Sequence, residues 1–412
     1  MKIYKENISV KVYWLKYLIV LLYSFLFVAF GAKAAVLHVP SEYDTIQAAI
    51  DAASDGDEVV VADGIYTGDG NKNLDFLGKA ITARAENGPE NCIIDCESSG
   101  RGFRFHNGED GASVVRGFTI RNGYVDGEWP GNSGGAISCI SSSPTIVDNI
   151  IMNNSVLYGG GGIFCFESAS PTIQNNTITG NTAFLGGGIY CFASSSPLIQ
   201  DNIITENSAD TAQAGGGGGI SCSEFSSPTI IGNLINGNSA GVGGGIDSYH
   251  YASPIIMNNV ITSNSAHIPG WGGGLFCYDS SFVVIINNTV TGNSGRFGSG
   301  IFGGHFASAK VVNTILWNIG GAEIFLNASS INITYSDIRG GYEGEGNISE
   351  PPLFFAPRRN QHLRPASPCI GAGTNDEAPP SDKDGNPRPN PPFSNCDIGA
   401  YESRLGQPRE IQ

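Results

Sequence analysis

Apolar and polar positions between residues 130 and 320 recur with a long period, not with the short period of one helix or hairpin. An aliphatic residue returns at Ile137, Ile163, Ile189, Ile220, Ile246, Leu275 and Ile301, and a cysteine follows two residues later at Cys139, Cys165, Cys191, Cys222 and Cys277. A second apolar row runs through Ile146, Ile173, Ile199, Ile230, Ile256 and Ile285, and a third through Ile151, Ile178, Ile204, Ile235, Ile261 and Val290. The unit reads Gly-Gly-(Ala/Ile/Leu)-x-Cys-x-x-x-Ser-Ser-Pro-x-Ile-x-x-Asn-x-Ile-x-x-Asn-(Ser/Thr). Its glycine marker steps along Gly135, Gly162, Gly188, Gly219, Gly245, Gly274 and a weaker Gly300, at intervals of 27, 26, 31, 26, 29 and 26 residues. Each unit holds three runs of β-formers separated by Gly, Ser-Pro or Asn. Residues two apart on a strand share a face, so Ile137 and Cys139 point the same way. One unit cannot bury a core, but stacking aligns each row into a closed apolar interior. Three strands per turn of about 26 residues predict a parallel β-helix.

Two asparagine rows fit the same coil. The first is Asn149, Asn176, Asn202, Asn233, Asn259, Asn288 and Asn313; the second is Asn154, Asn181, Asn207, Asn238, Asn264, Asn293 and Asn318. Stacked amides can hydrogen-bond along the column, and Asn tolerates the left-handed conformation a corner needs, so both rows are expected to be structural ladders. The repeated cysteines are expected to be small apolar wall, because zinc would need paired Cys or Cys/His at short spacing. Helical spacing of Ile and Ala in residues 43–53 predicts an N-terminal cap helix over the open end of the stack. Irregular coils then run to about residue 125, and residues 350–412 lose the repeat and become Pro-rich.

Ahead of the cap, a Lys-bearing stretch, the apolar run of residues 17–31 and Ala32-Lys33-Ala34 have the order of a secretory signal. The expected organisation is a signal peptide over 1–34, a β-helix with its cap over 35–349, and a C-terminal module over 350–412. Secretion or display at the cell surface follows, and the membrane is met only through the signal segment if it stays uncleaved. Nine cysteines in an exported chain suggest disulfides, with Cys92/Cys96 and Cys369/Cys396 as the candidate pairs. Composition adds 57 glycines and a formal charge of −16, which argues against a nucleic-acid partner.

Outward positions carry the candidate chemistry. Two residues past the cysteine row stand Glu224, His250, Asp279 and His305, which stacking at about 4.8 Å per coil would bring into one titratable line. Beside it run Phe166, Phe192, Tyr249 and Tyr278, and one strand position earlier Phe164, Tyr190, Asp247, Phe276 and Phe302. Rings beside acids suit a sugar chain, so Phe164, Tyr190, Phe192, Tyr249, Phe276 and Tyr278 are substrate-binding candidates. Glu224, Asp247, His250, Asp279 and His305 are the catalytic candidates, a carboxylate pair being able to serve glycoside hydrolysis. An edge of solvated acids with rings packing on one another is the competing expectation. Residues 122–295 contain no Lys or Arg, which weakens a lyase that needs a cationic base. Asp382-Lys383-Asp384-Gly385-Asn386 has the acid spacing of a Ca²⁺ loop but lacks the distal bidentate Glu, so a turn is expected there ahead of a Ca²⁺ site, and no cofactor is assigned beyond that Ca²⁺ alternative.

Residues 39–66, VPSEYDTIQAAIDAASDGDEVVVADGIY, resemble the opening of secreted right-handed β-helix proteins of the pectate-lyase-like superfamily. Ser367-Pro368-Cys369-Ile370-Gly371-Ala372-Gly373, Asp384-Gly385-Asn386-Pro387-Arg388 and Asp397-Ile398-Gly399-Ala400-Tyr401-Glu402 resemble the C-terminal choice-of-anchor module of bacterial surface proteins. The Gly-Gly-Ala-Ile and Ile-x-x-Asn elements are similar to repeats of chlamydial polymorphic outer-membrane proteins, which are adhesins. These resemblances imply a right-handed helix but leave activity open, since such folds carry lyases, hydrolases and non-enzymes. No stretch matches the lyase Arg motifs or the Asp-Asp and Gly-His-Gly patterns of polygalacturonase-like hydrolases. Two functions therefore stand: a secreted protein that binds polysaccharide or cell-surface glycan, with or without processing it, and a non-catalytic surface or adhesion protein using the helix as spacer and contact face.

Overall fold

The computed structural model describes residues 34–409 apart from 211, 213 and 358; the expected signal segment lies outside the described residues. Residues from Val36 onward form one compact unit. The chain winds as a parallel β-helix in which each strand pairs with its equivalent one coil away. Sheet A has 12 strands, sheet B 11, sheet C 10 and sheet D six. One full coil runs through Ile163–Phe166 in sheet C, Thr172–Gln174 in A, Thr177–Thr179 in B and Thr182–Ala183 in D. Register is strict: Ile163 pairs with Ile189, Cys165 with Cys191, Ile173 with Ile199 and Ile178 with Ile204. Ile137 pairs with Ile163, which sets Gly135 level with Gly161.

The three apolar rows and the cysteine row are buried throughout and form one continuous core. The expected cap is the helix Ile46–Ala52, whose Thr45 hydroxyl accepts the Ala48 N–H at 3.2 Å and whose Ile46, Ala49 and Ile50 face the interior. That cap bond satisfies one of the N–H groups a helix start leaves open. Sheet D was not foreseen by the three-strand reading. It forms where the segment after the second asparagine row extends before the Gly-Gly corner, from Tyr124–Val125 to Ser265–Trp271. At that corner Gly160 has φ +67°, and a Cβ on Gly162 would stand 2.6 Å from the Gly188 carbonyl, so the coil spacing there excludes a side chain.

Both ladders form. Asn176 Oδ1 accepts the Asn149 backbone N–H at 2.9 Å and its side-chain amide at 3.1 Å, while Asn176 Nδ2 donates to the Ile146 carbonyl at 2.9 Å. Two details differ from expectation. The ladder residues are not the left-handed ones; the residue before each is, as at Asp148, Asn175 and Asp201 or at Asn153 and Glu206. Asn313 consequently falls out of the first row: it takes φ +52° and the ladder passes through Thr314, whose hydroxyl accepts the Asn288 N–H at 3.3 Å. The second ladder ends on buried Glu323, which accepts the Asn318 N–H at 2.6 Å and its amide at 2.8 Å.

All nine cysteines are buried free thiols, which corrects both proposed disulfides. Cys92 opens the strand Cys92–Asp95 and Cys96 follows it, so four extended residues separate their Cα atoms by about 13 Å, beyond any disulfide. Cys369 Sγ donates to Asp337 at 3.2 Å and Cys396 Sγ to the Thr374 carbonyl at 2.9 Å. Beyond the antiparallel pair Phe354–Ala356 and Asn360–Leu363, the C-terminal residues run back along the corner between sheets A and B. Arg388, paired with Glu402 at 3.0 Å in full burial, reaches Asn258 Oδ1 at 2.7 Å, and Gly399 N–H reaches the Asn313 carbonyl at 2.8 Å.

Candidate functional site

Past each sheet C strand the chain turns sharply toward sheet A, and this corner carries the titratable line. Glu224, His250, Asp279 and His305 all take φ between 49° and 52° there. Coil-to-coil hydrogen bonds hold the turn, with Phe225 N–H on the His250 carbonyl at 3.2 Å and Tyr251 N–H on the Asp279 carbonyl at 3.0 Å. Stacking places acid and imidazole alternately. His250 Nδ1 lies 3.3 Å from Glu224 Oε1 and 3.7 Å from Asp279 Oδ2, and His305 Nδ1 lies 3.0 Å from Asp279 Oδ1. The structure thus brings these four residues together on an accessible edge.

The aromatic candidates divide. Tyr249 and Tyr278 stack at 6.0 Å beside the line, and Tyr278 stacks on His305 at 5.3 Å. Burial raises the Tyr249 hydroxyl pKa, with Asp279 adding to the effect. Phe192 is partly exposed. Phe164, Tyr190 and Phe276, however, are buried and cannot meet a ligand. The cause is sheet D and the loops that join it to sheet C, which roof this row. Trp129 packs edge-on against Phe164 and Phe192, Trp271 stacks on Phe276 at 6.2 Å, and Gly159 lies directly on the Tyr190 ring. Tyr190 instead spends its hydroxyl on Ser223 at 3.0 Å.

Asp247 is corrected for the same reason. It is 3% exposed, Gly216 presses on its carboxylate, Oδ2 accepts the Ser221 hydroxyl at 2.9 Å and Oδ1 has no partner among the described residues. Burial pushes its pKa up to about 7, against the Ser221 hydrogen bond that pulls it down. A buried acid of this kind cannot reach a substrate.

One row was missed from sequence. The residue after each member of the line also turns left-handed and projects outward: Phe306 is 73%, Phe225 57% and Tyr251 48% exposed. Phe225 and Tyr251 stack at 5.1 Å. Its signal in the sequence was three rings at a repeat position otherwise held by Ser168, Ser194 and Ser280. Beside the line, Phe166, Glu167, Phe192, Glu224 and Phe225 border a shallow cleft of about 500 Å³. Glu167 and Glu224 stand two coils apart, about 9.6 Å by strand spacing.

The arrangement is suited to recognition of a sugar chain. Retaining glycosidases hold their carboxyl groups about 5–5.5 Å apart and inverting ones about 6.5–9.5 Å apart, with the scissile bond between them. Here the imidazole of His250 fills the space between Glu224 and Asp279. Rings stacked at coil spacing offer faces for sugar CH groups, and the acids accept hydroxyl hydrogen bonds. Among the described residues, no three His, Cys, Asp or Glu side chains cluster as metal ligands. In the Asp382–Asn386 loop, Asp382 accepts the backbone N–H groups of Asp384, Asn386 and Glu402 at 2.7–2.9 Å, which closes a turn.

Residues 62–261 match the family described as "Right handed beta helix region", and the helix is of that hand. The structure is similar to that of pectate lyase Pel9A, with 15% identity, a TM-score of 0.56, and 90% of this chain and 97% of that one covered. It is also similar to XylC, solved with xylose, with 10% identity, a TM-score of 0.58, and 90% and 98% covered. At these identities the likeness is one of fold. No curated protein matches the chain in sequence.

Proposed function

We propose that this chain is an exported glycan-binding β-helix protein that holds a polysaccharide along the edge of sheet C without cleaving it. The observation that carries this is the alternating line of Glu224, His250, Asp279 and His305, flanked by the exposed rings of Phe225, Tyr249, Tyr251 and Phe306. Its repeat of about 4.8 Å per coil lets successive sugar units meet equivalent groups. Most of the edge lies in the span 122–295, which has no Lys or Arg, and it presents carboxylates, so its partner is a neutral glycan, an acidic one being repelled. The expected signal segment and the fold's likeness to polysaccharide-acting and xylose-bound proteins support this reading. Among the described residues no helix is long and apolar enough to cross a membrane.

A glycan array with a reducing-end release assay on the same chains tests it. Neutral polysaccharide should bind with no product formed, and Phe225→Ala with Tyr251→Ala should weaken binding tenfold or more, about 1.4 kcal/mol. His250→Ala with Asp279→Ala should weaken it as well. Release of reducing ends would convert the reading to an enzyme, and unchanged affinity in both double variants would move the site elsewhere.

A further inference from the structure

A cavity lies away from that edge, between the last coils of sheet B and the start of the C-terminal segment. It is about 760 Å³. Trp317, at the end of the strand Ile315–Trp317, forms one wall, and Pro352, Leu353 and Phe354 form the other. Two guanidiniums, Arg339 and Arg364, border the same space, and among the described residues no carboxylate lines it.

Both guanidiniums are tethered but not neutralised. Arg339 Nη1 donates to the Asn318 carbonyl and Arg364 Nη2 to the Phe355 carbonyl at 3.1 Å. Neither is in an ion pair among the described residues, whereas Arg84, Arg116, Arg121 and Arg388 are each held by an acid. Arg339 acts electrostatically on buried Glu323, which is already committed to the end of the asparagine ladder. In a chain of formal charge −16, two uncommitted arginines at an apolar cavity form a local counter-charge. A guanidinium keeps a planar fork of N–H donors that fits a carboxylate with two parallel bonds.

We infer that this cavity binds a carboxylate-bearing sugar, its acid group held by Arg339 and Arg364 and its ring against Trp317. A pocket lined mainly by apolar groups with a few placed charges is the ordinary form of a small-ligand site. The ligand differs in charge from the neutral glycan assigned to the sheet C edge, so the two sites select different sugars and can be occupied together.

Titration of the full chain with a galacturonate trisaccharide, followed by tryptophan fluorescence and calorimetry, tests the site. The acidic trisaccharide should quench fluorescence and bind in a salt-sensitive way, and neutral galactotriose should not. Arg364→Gln, which leaves the ladder untouched, should cost tenfold or more in affinity at an unchanged thermal midpoint, and Arg339→Gln with Arg364→Gln should abolish binding. Trp317→Phe should remove the quench. His250→Ala with Asp279→Ala should leave this binding intact, which separates its failure from that of the glycan edge. Equal binding of neutral and acidic trisaccharides, full affinity in Arg364→Gln, or capture of an acidic peptide in place of the uronate would overturn the inference.

Discussion

Replacing Asn207 with Ala cuts the second ladder near its middle. Asn207 is fully buried. Its Oδ1 accepts the Asn181 backbone N–H at 3.0 Å and the Asn181 amide at 2.9 Å; its Nδ2 donates to the Ile178 carbonyl at 2.8 Å and to Asn238 Oδ1 at 3.0 Å. Alanine removes all four bonds but strands the partners unequally. Asn238 Oδ1 keeps the backbone N–H of residue 207, at 2.9 Å, and the Asn181 amide keeps its bond to the Ile151 carbonyl. Left without this partner are the Asn181 N–H, one amide hydrogen of Asn181 and a lone pair on the Ile178 carbonyl. A buried polar group left unmade costs about 1–3 kcal/mol, so the expected loss is about 3–5 kcal/mol. Urea denaturation followed by far-UV circular dichroism reads it as a lower midpoint at unchanged slope. Glu206→Ala, at the exposed corner one residue earlier, is the control and should stay within about 0.5 kcal/mol. A loss below about 1 kcal/mol for Asn207→Ala would show that water or a shifted amide replaces the bonds, and the ladder could not be what sets the corner.

Stability should fall as pH rises. Asp247 and Asp337 have pKa values raised by burial to about 7, so the folded chain binds more protons than the unfolded one between pH 4 and 7, and the stability present below the unfolded pKa is lost through that window. The shift at Asp247 corresponds to about 4 kcal/mol as an upper bound; Asp247→Asn should flatten the pH dependence of the thermal midpoint, and an unaltered slope would show that this carboxyl is hydrated. Because all nine thiols are free and buried, reductant should leave the thermal midpoint in place, and a thiol reagent should react only on unfolding. Burial holds Cys92, Cys96 and Cys396 up at about 12, far from the thiolate form. A midpoint lowered by reductant would reinstate a disulfide.

The interior was legible because it repeats. Each apolar row occupies the same place in coil after coil, so Ile173, Ile199 and Ile230 align in the bare sequence as they pair in sheet A. The outer faces do not repeat, and there the reading divided. Glu224, His250, Asp279 and His305 lie together because only coil spacing was needed to stack them. Asp247, Tyr190 and Phe276 were misplaced because their exposure depends on what covers sheet C. That cover comes from segments lying between repeat markers, with Trp129 and Trp271 as lids; unpaired tryptophans among polar residues were the available clue. Cys92 and Cys96 misled for another reason: even spacing on a strand gives a shared face, not proximity in space.

The backbone of the sheet C to sheet A corner argues that its side chains are there for contact. Two successive residues are left-handed in the coils from Glu167-Ser168 onward, as at Glu224-Phe225, His250-Tyr251, Asp279-Ser280 and His305-Phe306. For a non-glycine residue that conformation costs about 1–2 kcal/mol, and more is at stake for bulky side chains. Elsewhere the chain meets the same requirement mostly with residues suited to it: Gly180, Gly237 and Gly292 precede the second ladder, with Glu206 and Ser263 as exceptions, and Asn175, Asn258 and Asn287 precede the first. A corner needed only for folding would use the same residues, and this chain has 57 glycines to draw on. Phenylalanine, tyrosine and histidine stand there instead, in a strained backbone, with Phe306 and Phe225 mostly in water and gaining little from burial. Strain held in place by coil-to-coil hydrogen bonds, and expressed as outward rings beside a line of acids and imidazoles, belongs to a surface that meets a partner.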